Sequence, residues 1–212
     1  MNGVQYSENM MAARNPRHDR ESVTDVALSL LDQVGLPDLS MRRLAAELDV
    51  QPSALYWHFA NKQELLAAVA DRIVSQIPPH SADSNDAASR LLLTARSIRD
   101  ALLAYRDGAE VVQSTAALRL GATRATEIIQ DAILDAPLAP DVRSDVADAV
   151  LQFILGHTML LQQRMHAASH GADAGNENPF ADSSSRVFDT GIALFSAGIP
   201  LSGALRSAQS PA

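Results

Sequence analysis

Apolar residues recur at helical spacing along most of the chain, and the pattern is most specific in the segment 40–66, SMRRLAAELDVQPSALYWHFANKQELL. Ser40 can accept backbone hydrogen bonds as the N-cap of a short helix. That helix would bury Leu44, Ala45 and Leu48 on one face. The pattern therefore predicts a short, amphipathic first helix in this segment.

A turn and a second short helix are predicted directly after it. Asp49 is among the few non-glycine residues that tolerate a left-handed backbone, which a turn of this type needs. Pro52 suits the first position of a helix, because its missing N–H makes no helical hydrogen bond there. Leu55 and Phe59 then share an inward face of a helix of about seven residues. Together the two helices predict a helix-turn-helix.

The second helix leaves Tyr56 and Trp57 on the side away from its inward face. There they either bind DNA or pack over the contact between two helices. Aromatic rings and hydroxyl groups can pack on sugars and bind phosphates, and small side chains let the backbone approach base edges. A third helix begins at Lys62, behind a capping-box-like pair, Asn61 and Glu64. We favour a DNA-binding surface, with these candidate residues: Ser40, Arg42, Arg43, Gln51, Pro52, Ser53, Ala54, Tyr56, Trp57, His58 and Lys62.

The overall charge is acidic, with 17 Lys and Arg against 25 Asp and Glu and a formal net charge of −8. Residues 1–77 alone hold seven Lys or Arg against ten Asp or Glu. We therefore expect specific DNA binding with a modest salt dependence rather than non-specific coating. Residues 1–19 are predicted to be a disordered arm, either inert or in contact with phosphates. The basic residues in this arm and directly after it are Arg14, Arg17, His18 and Arg20.

Beyond residue 78 the same helical spacing continues in longer segments. It predicts helices over residues 86–105, 109–116 and 121–134, a long helix that begins at Pro140, and a last helix over 186–197. The stretch 169–185 is rich in Gly, Asn, Ser and Asp and predicts a mobile loop. The tail after Pro200 is expected to fray.

The long helix is apolar on nearly every side, and such a helix must be buried on nearly every side. Its apolar and semi-polar positions are Val142, Val146, Val150, Phe153, Ile154, His157, Met159 and Leu160. In a chain of 212 residues, the economical solution is that this helix and the last one pair with a second copy of the chain. Burial within a monomer is the alternative.

Composition agrees with a helical protein and restricts its chemistry. Aromatic residues make up 4% of the chain, and the abundant alanine favours helices over a β-sandwich or barrel. The chain has no cysteine, so disulfides and thiolate metal sites are excluded and a cytoplasmic location is expected. The sequence predicts neither a signal peptide nor a membrane-spanning segment.

Several of these segments resemble the TetR family of repressors: LSMRRLAAEL, VQPSALYWHF and NKQELL in the helix-turn-helix, then 101–115 (ALLAYRDGAEVVQST) and 152–163 (QFILGHTMLLQQ). The tetracycline repressor branch is the most similar. The resemblance implies an all-α fold, with a three-helix DNA-binding domain over 20–77 and a ligand-binding and dimerisation domain over 78–212. It also implies a homodimer, paired through a four-helix bundle, that binds a palindromic operator and is released by a small effector.

The resemblance further implies a ligand pocket in the second domain. The candidate lining residues are Thr94, Ile98, Val112, Thr115, His157, Met159, Leu160 and Gln163. They mix aliphatic and thioether groups with a few polar ones, which suits an apolar ligand held by a few polar contacts. For each residue, an ordinary core position is the alternative.

This chain departs from the tetracycline repressor pattern at the positions that bind the drug. A histidine that holds magnesium in that branch aligns with Val112, which cannot bind a metal. The amide and phenyl ring that grip the drug align with Thr94 and Ile98, and a second histidine aligns with Arg164. We therefore expect an apolar or polycyclic effector other than magnesium–tetracycline, and no cofactor.

An all-helical ligand-binding or metal-binding enzyme with an incidental helix-turn-helix is the second hypothesis. His166 and His170 are four residues apart, a spacing that can hold zinc on one helix face. The further ligands would have to come from Asp173 or Glu177 in the predicted loop. The sequence contains no GxGxxG, P-loop, GxSxG or HExxH motif. We therefore expect a regulator and not an enzyme.

Overall fold

The computed structural model describes residues 18–77, 86–121, 123–169 and 179–207, and these ranges contain helices and no strand. The helices are α1 (Arg20–Val34), α2 (Met41–Glu47), α3 (Pro52–Leu55), α4 (Lys62–Ser75), α5 (Ala87–Leu103), α6 (Gly108–Ala117), α7 (Thr123–Ala132), α8 (Pro140–Ser169) and α9 (Pro179–Ser207). The predicted all-α fold is confirmed.

Helices α1 to α4 form a small bundle around the apolar positions that the sequence pattern predicted to be inward. Leu44, Leu55 and Phe59 are all fully buried. The Ser40 hydroxyl accepts a hydrogen bond from the Arg43 N–H at 3.2 Å, and the Asn61 side chain caps α4 in the same way. Because both helix starts are fixed by their own caps, the short elements between them have defined ends.

The turn between α2 and α3 has the predicted left-handed residue, since Asp49 has a φ of 52°. The α-helical part of α3 is shorter than the predicted seven residues and ends at Leu55. Tyr56, Trp57 and His58 continue it as a turn rather than as α-helix, with His58 N–H donating to the Leu55 carbonyl at 2.9 Å. The element that follows Pro52 is therefore a one-turn helix with a tight extension.

Helices α5 to α9 form the larger part of the fold, with α5 packed against α7, α8 and α9. The residues of α8 that face this bundle, such as Val150 and Ile154, are fully buried. Leu160, on the same helix, is 48% exposed, and Leu194 of α9 is 69% exposed. One chain therefore leaves apolar surface on α8 and α9 uncovered.

Two predictions about the end of the chain were wrong. The predicted loop 169–185 is helical from Pro179 onwards, and the predicted last helix, 186–197, extends from Pro179 to Ser207 despite Pro200. Residues 170–178 lie outside the described ranges. Ser184 is buried, and its carbonyl lies 3.1 Å from His157 Nε2 on α8. This tertiary contact offsets the weak helical preference of the serine run. The loop prediction rested on composition, which reflects only that preference.

The two parts of the fold meet where the α1–α2 loop lies against the corner between α5 and α6. Asp107 Oδ2 accepts a hydrogen bond from the Leu36 N–H at 2.8 Å, and Asp32 Oδ1 accepts one from the Arg106 N–H at 3.0 Å. Gly35 has a φ of 82°, and a Cβ there would lie 2.9 Å from Asp107 Oδ2. The close approach of the two loops therefore requires glycine.

The same corner is fixed from the other side by Gln162 of α8. Its side-chain Nε2 donates to the carbonyls of Leu102 and Tyr105 at 3.1 and 2.9 Å, and its Oε1 accepts from the Ala109 N–H at 3.3 Å. A buried amide with three partners holds its surroundings firmly, because each group left unpaired would be destabilising. The long helix and the DNA-binding bundle are thus attached to one corner.

Candidate DNA-binding and effector-binding sites

The turn after α3 presents aromatic side chains to solvent beside a fully buried pair. Tyr56 is 54% exposed and Trp57 83% exposed, whereas Leu55 and Phe59 are 1% and 0% exposed. Large exposed aromatic groups on a rigid element are a usual sign of a binding surface. Among the described helices, Tyr56 and Trp57 therefore do not pack over a contact between two helices.

The other residues of the predicted DNA surface surround this turn. Gln51, Pro52 and Ser53 are exposed at the start of α3, and Arg42 and Arg43 are exposed on α2. Ala54, His58 and Lys62 are half-buried, and Ser40 is exposed at the start of α2. The candidates lie on α2, on α3 with its turn, and at the start of α4, and most of their side chains are accessible to a DNA duplex.

For the predicted basic arm, the structure differs from the prediction at Arg20. Residues 1–17, with Arg14 and Arg17, lie outside the described ranges, and His18 precedes the N-cap of α1. Arg20 belongs to α1 rather than to the arm. Its guanidinium lies over the Phe59 ring, 4.2 Å from the centroid, and donates to the carbonyl of His58.

The candidate effector-binding residues of α5 and α6 all face the interior. Thr94, Ile98, Val112 and Thr115 are buried, and Thr115 donates back to the carbonyls of its own helix. The Thr94 hydroxyl has no hydrogen-bond partner among the described residues. A buried hydroxyl without a partner is unfavourable unless another molecule supplies one.

His157 of α8 lies in a mostly aromatic environment. Its ring centroid is 5.0 Å from that of Phe188 and 6.1 Å from that of Phe153. Its Nε2 lies 3.1 Å from the Ser184 carbonyl, to which a protonated Nε2 can donate, and 3.2 Å from the Ser184 hydroxyl, from which an unprotonated Nε2 can accept. Nδ1 is buried and has no hydrogen-bond partner among the described residues. Burial lowers the pKa of His157, and the charges of Arg99 and Arg164 lower it further.

Of the α8 candidates, His157 and Leu160 share a cleft with α9, and the other two differ from each other in exposure. Met159 is half-buried, Leu160 is exposed, and Gln163 is exposed. The amide that turns inward is its neighbour Gln162, which holds the α5–α6 corner. A cleft of about 160 Å³ between α8 and α9 includes His157 and Leu160.

The family comparison matches both parts of the fold. The model described as "Bacterial regulatory proteins, tetR family" matches residues 23–69, and the model described as "Tetracyclin repressor-like, C-terminal domain" matches residues 79–199. The chain belongs to the tetR family of bacterial regulatory proteins. The family inferred from the sequence is therefore confirmed.

Individual relatives agree with this assignment. The tetracycline repressor protein class C of Escherichia coli is 49% identical over 98 residues, which are 45% of each chain. The present chain thus aligns with about half the length of that curated relative. BioQ of Mycobacterium smegmatis is 36% identical and covers 88% of this chain and 100% of its own, with a TM-score of 0.78.

Two solved structures of relatives contain ligands. A structure of BioQ with its natural double-stranded DNA operator is 34% identical, with a TM-score of 0.70, and covers 86% of this chain and 98% of its own. A TetR variant from Acinetobacter baumannii AYE in complex with minocycline is 29% identical, with a TM-score of 0.67, and covers 87% and 97%. DNA and a small molecule are thus each bound by a relative of similar fold.

The sequence pattern missed a group of polar contacts between α5 and α9 of this TetR-family protein. Arg96 binds Asp189 through two hydrogen bonds of 3.0 and 2.6 Å, and this guanidinium holds the pKa of Asp189 below its usual range. The Arg99 guanidinium lies 4.6 Å from the centroid of the Phe188 ring. Nothing in the periodicity of either helix could pair residues about ninety positions apart, although Arg96 and Asp189 interrupt otherwise apolar stretches.

The predicted histidine pair is only partly described. His166 lies 3.7 Å from Asp107 Oδ1, measured from its Nδ1, while His170 lies outside the described ranges. Over the residues that the structure places, no three His, Cys, Asp or Glu side chains gather as a metal site would need. None of the described helices has the length and apolar character needed to cross a membrane.

The environment of His157 predicts a pH dependence of stability. Since its pKa is lowered by burial, the folded protein keeps the ring neutral where the unfolded chain would bind a proton. Stability should therefore fall as pH drops below the ordinary histidine value of about 6.5. Between pH 7.5 and pH 5.5, we expect the melting temperature of the wild type to fall more than that of His157→Gln. Equal falls at equal protein concentration would show that His157 does not contribute.

Proposed function

We propose that this protein is a transcriptional repressor that binds a palindromic operator as a homodimer and is released by a small effector. The observation that carries the proposal is the exposure of Tyr56 and Trp57 next to the fully buried Leu55 and Phe59. Such an arrangement directs planar, hydrogen-bonding side chains outward from a buried anchor, where they can contact the sugars and phosphates that border a major groove. The BioQ structure with its operator supports DNA as the partner.

The uncovered faces of α8 and α9 support a second copy as the protein partner. Leu160, Val187 and Leu194 are each about half exposed or more in the single chain. Gly156 lies in the middle of α8, and a Cβ there would meet nothing within 4 Å. Glycine weakens a helix interior, so an open glycine between apolar residues favours close approach of another helix. A twofold dimer would present two DNA-binding bundles to two half-sites.

The interior of the larger part supports an apolar effector with a few polar groups. Val112 is completely buried, and Thr94 and His157 each have a buried polar atom without a partner among the described residues. A ligand that fills this region would bind mainly by apolar contact and orient itself through those two groups. A cytoplasmic location fits a regulator that meets both DNA and a metabolite. The comparisons do not support the alternative of an enzyme.

Operator binding is tested most directly with Tyr56. In a fluorescence anisotropy titration against a duplex from upstream of the protein's own gene, we expect Tyr56→Ala to weaken binding about tenfold, the loss of one good contact of about 1.4 kcal/mol. Leu134→Ala is the matched control, because Leu134 is 57% exposed at the end of α7 and outside the predicted DNA surface. It should bind within about twofold of the wild type.

A scrambled duplex of equal length, measured at the same moderate salt, separates specific from charge-driven binding. Equal affinity of the wild type for both duplexes, with no effect of Tyr56→Ala, would contradict operator recognition by this turn.

The effector prediction is tested with magnesium and tetracycline. Because Val112 stands where the tetracycline repressor branch is expected to hold magnesium, we expect no magnesium-dependent binding of tetracycline in isothermal titration calorimetry. The same preparation should be screened with small apolar and polycyclic compounds, since a pocket ligand raises the melting temperature by mass action. Submicromolar, magnesium-dependent binding of tetracycline would contradict the prediction.

A further inference from the structure

Arg20 occupies a fixed position at the start of α1. Asp19 Oδ1 accepts a hydrogen bond from the Ser22 N–H at 2.8 Å, and Ser22 Oγ accepts one from the Asp19 N–H at 2.9 Å. This reciprocal capping box sets the first turn of the helix. Arg20 is the first residue inside it, so its side chain starts from an ordered backbone.

From that position Arg20 makes two contacts with the end of the recognition turn, which we define as residues 56–59. Its guanidinium stacks on the Phe59 ring, 4.2 Å from the centroid, and it donates to the His58 carbonyl. A planar guanidinium can stack with its face and donate with its edge at the same time, which an ammonium group cannot do. The two contacts therefore depend on arginine and not only on positive charge.

The recognition turn benefits from such support because it is short and irregular. The α-helical part of α3 is four residues long, and Gln51 gives it no side-chain cap. The turn continues through i→i−3 bonds from Trp57 and His58, of 3.3 and 2.9 Å, and ends with an i→i−4 bond of 3.0 Å from the Phe59 N–H to the Leu55 carbonyl. A cation at the carbonyl end of a helix is stabilising, because the last carbonyls there have no partner within the helix.

Glu64 of α4 binds Ala60, the residue that directly follows the recognition turn. Its Oε2 accepts a hydrogen bond from the Ala60 N–H at 3.0 Å. The segment that follows Trp57 is thus held by a cation from α1 at its carbonyl and by an anion from α4 at its amide. Both contacts are charge-assisted, which makes them stronger than ordinary hydrogen bonds.

We propose that Arg20 is a positioning residue for operator recognition, which orients Tyr56 and Trp57 by fixing the end of the recognition turn. This role differs from the phosphate contact that the arm prediction gave to Arg20. The proposal rests on the proposed DNA-binding function and concerns how one helix of the bundle controls the DNA-contacting turn of another.

The test compares Arg20→Lys with Arg20→Met on the upstream duplex. Lysine keeps the positive charge, methionine keeps an unbranched apolar side chain, and neither has the planar guanidinium group. We expect both to weaken specific binding about tenfold, the lower range for a hydrogen bond to a charged group. In Arg20→Lys, the slope of log Kd against log salt should equal that of the wild type. Arg43→Met, which removes a predicted phosphate contact, should make that slope shallower by about one.

Lysine binds phosphates well, so its behaviour decides between the two roles. If Arg20→Lys binds like the wild type while Arg20→Met loses affinity and about one unit of slope, Arg20 is a phosphate contact and the proposal fails. It also fails if neither substitution changes affinity. Far-UV circular dichroism and melting curves show whether each variant is folded at the temperature of the titration.

A second measurement needs no DNA, so its outcome is independent of whether the upstream duplex is the operator. Trp57 is the only tryptophan in the chain, and it lies in the recognition turn. We expect time-resolved anisotropy to show a larger amplitude of fast Trp57 motion in both Arg20 variants than in the wild type and Arg43→Met. Identical decays in all four folded proteins would overturn the proposal even if the variants bound DNA weakly.

Discussion

Two carboxylates that accept hydrogen bonds from backbone amides across one junction link the α1–α4 bundle of this TetR-family protein to the larger part of the fold. Asp107, in the α5–α6 corner, accepts from Leu36 of the α1–α2 loop, and Asp32 of α1 accepts from Arg106 of the corner. The bonds run in opposite directions between the same two segments, so neither loop can shift without lengthening one of them. Charged acceptors make such bonds stronger than neutral ones. This junction and the packing of α4 against α6 together hold the α1–α4 bundle in place.

Other contacts also join the larger part of the fold to this junction and to the α1–α4 bundle. Gln162 attaches α8 to the corner through three backbone groups. The α6–α7 connection packs tightly on the DNA-binding bundle, where a Cβ on Gly121 would lie 3.1 Å from the Ala67 carbonyl oxygen. A ligand can shift such a system only if it binds one arrangement of these contacts better than the other. The Thr94 hydroxyl, which has no hydrogen-bond partner among the described residues, lies on the helix that leads to the corner and is a candidate contact for such a ligand.

The sequence was most informative where structure is determined locally. Caps, the Asp49 turn and the spacing of Leu55 and Phe59 predicted the DNA-binding bundle because each depends on neighbours a few residues away. The extent of α9 was missed at both ends; near its start, the contact of Ser184 with His157 of α8 is a tertiary interaction that a polar composition does not reveal. Arg20 was assigned to the arm for a similar reason, since its partner lies 38 positions away. Gln163 is exposed and stays an untested candidate, whereas its neighbour Gln162 faces inward; helical periodicity does not resolve a shift of one residue at the edge of a face.

The central claim is that, in the proposed dimer, the two crossed hydrogen bonds help to hold each α1–α4 bundle in one orientation. The chain has no cysteine, so Gln63→Cys, at an exposed position of α4, places a single spin label on each bundle. In the labelled protein without further substitutions, pulsed electron–electron double resonance should give one narrow distribution of distances between the two spin labels. Adding Asp32→Ala and Asp107→Gly removes both acceptors, and glycine keeps the left-handed backbone at position 107. The account predicts a clearly broader distribution in that variant, and an unchanged narrow distribution in the folded dimer would contradict it.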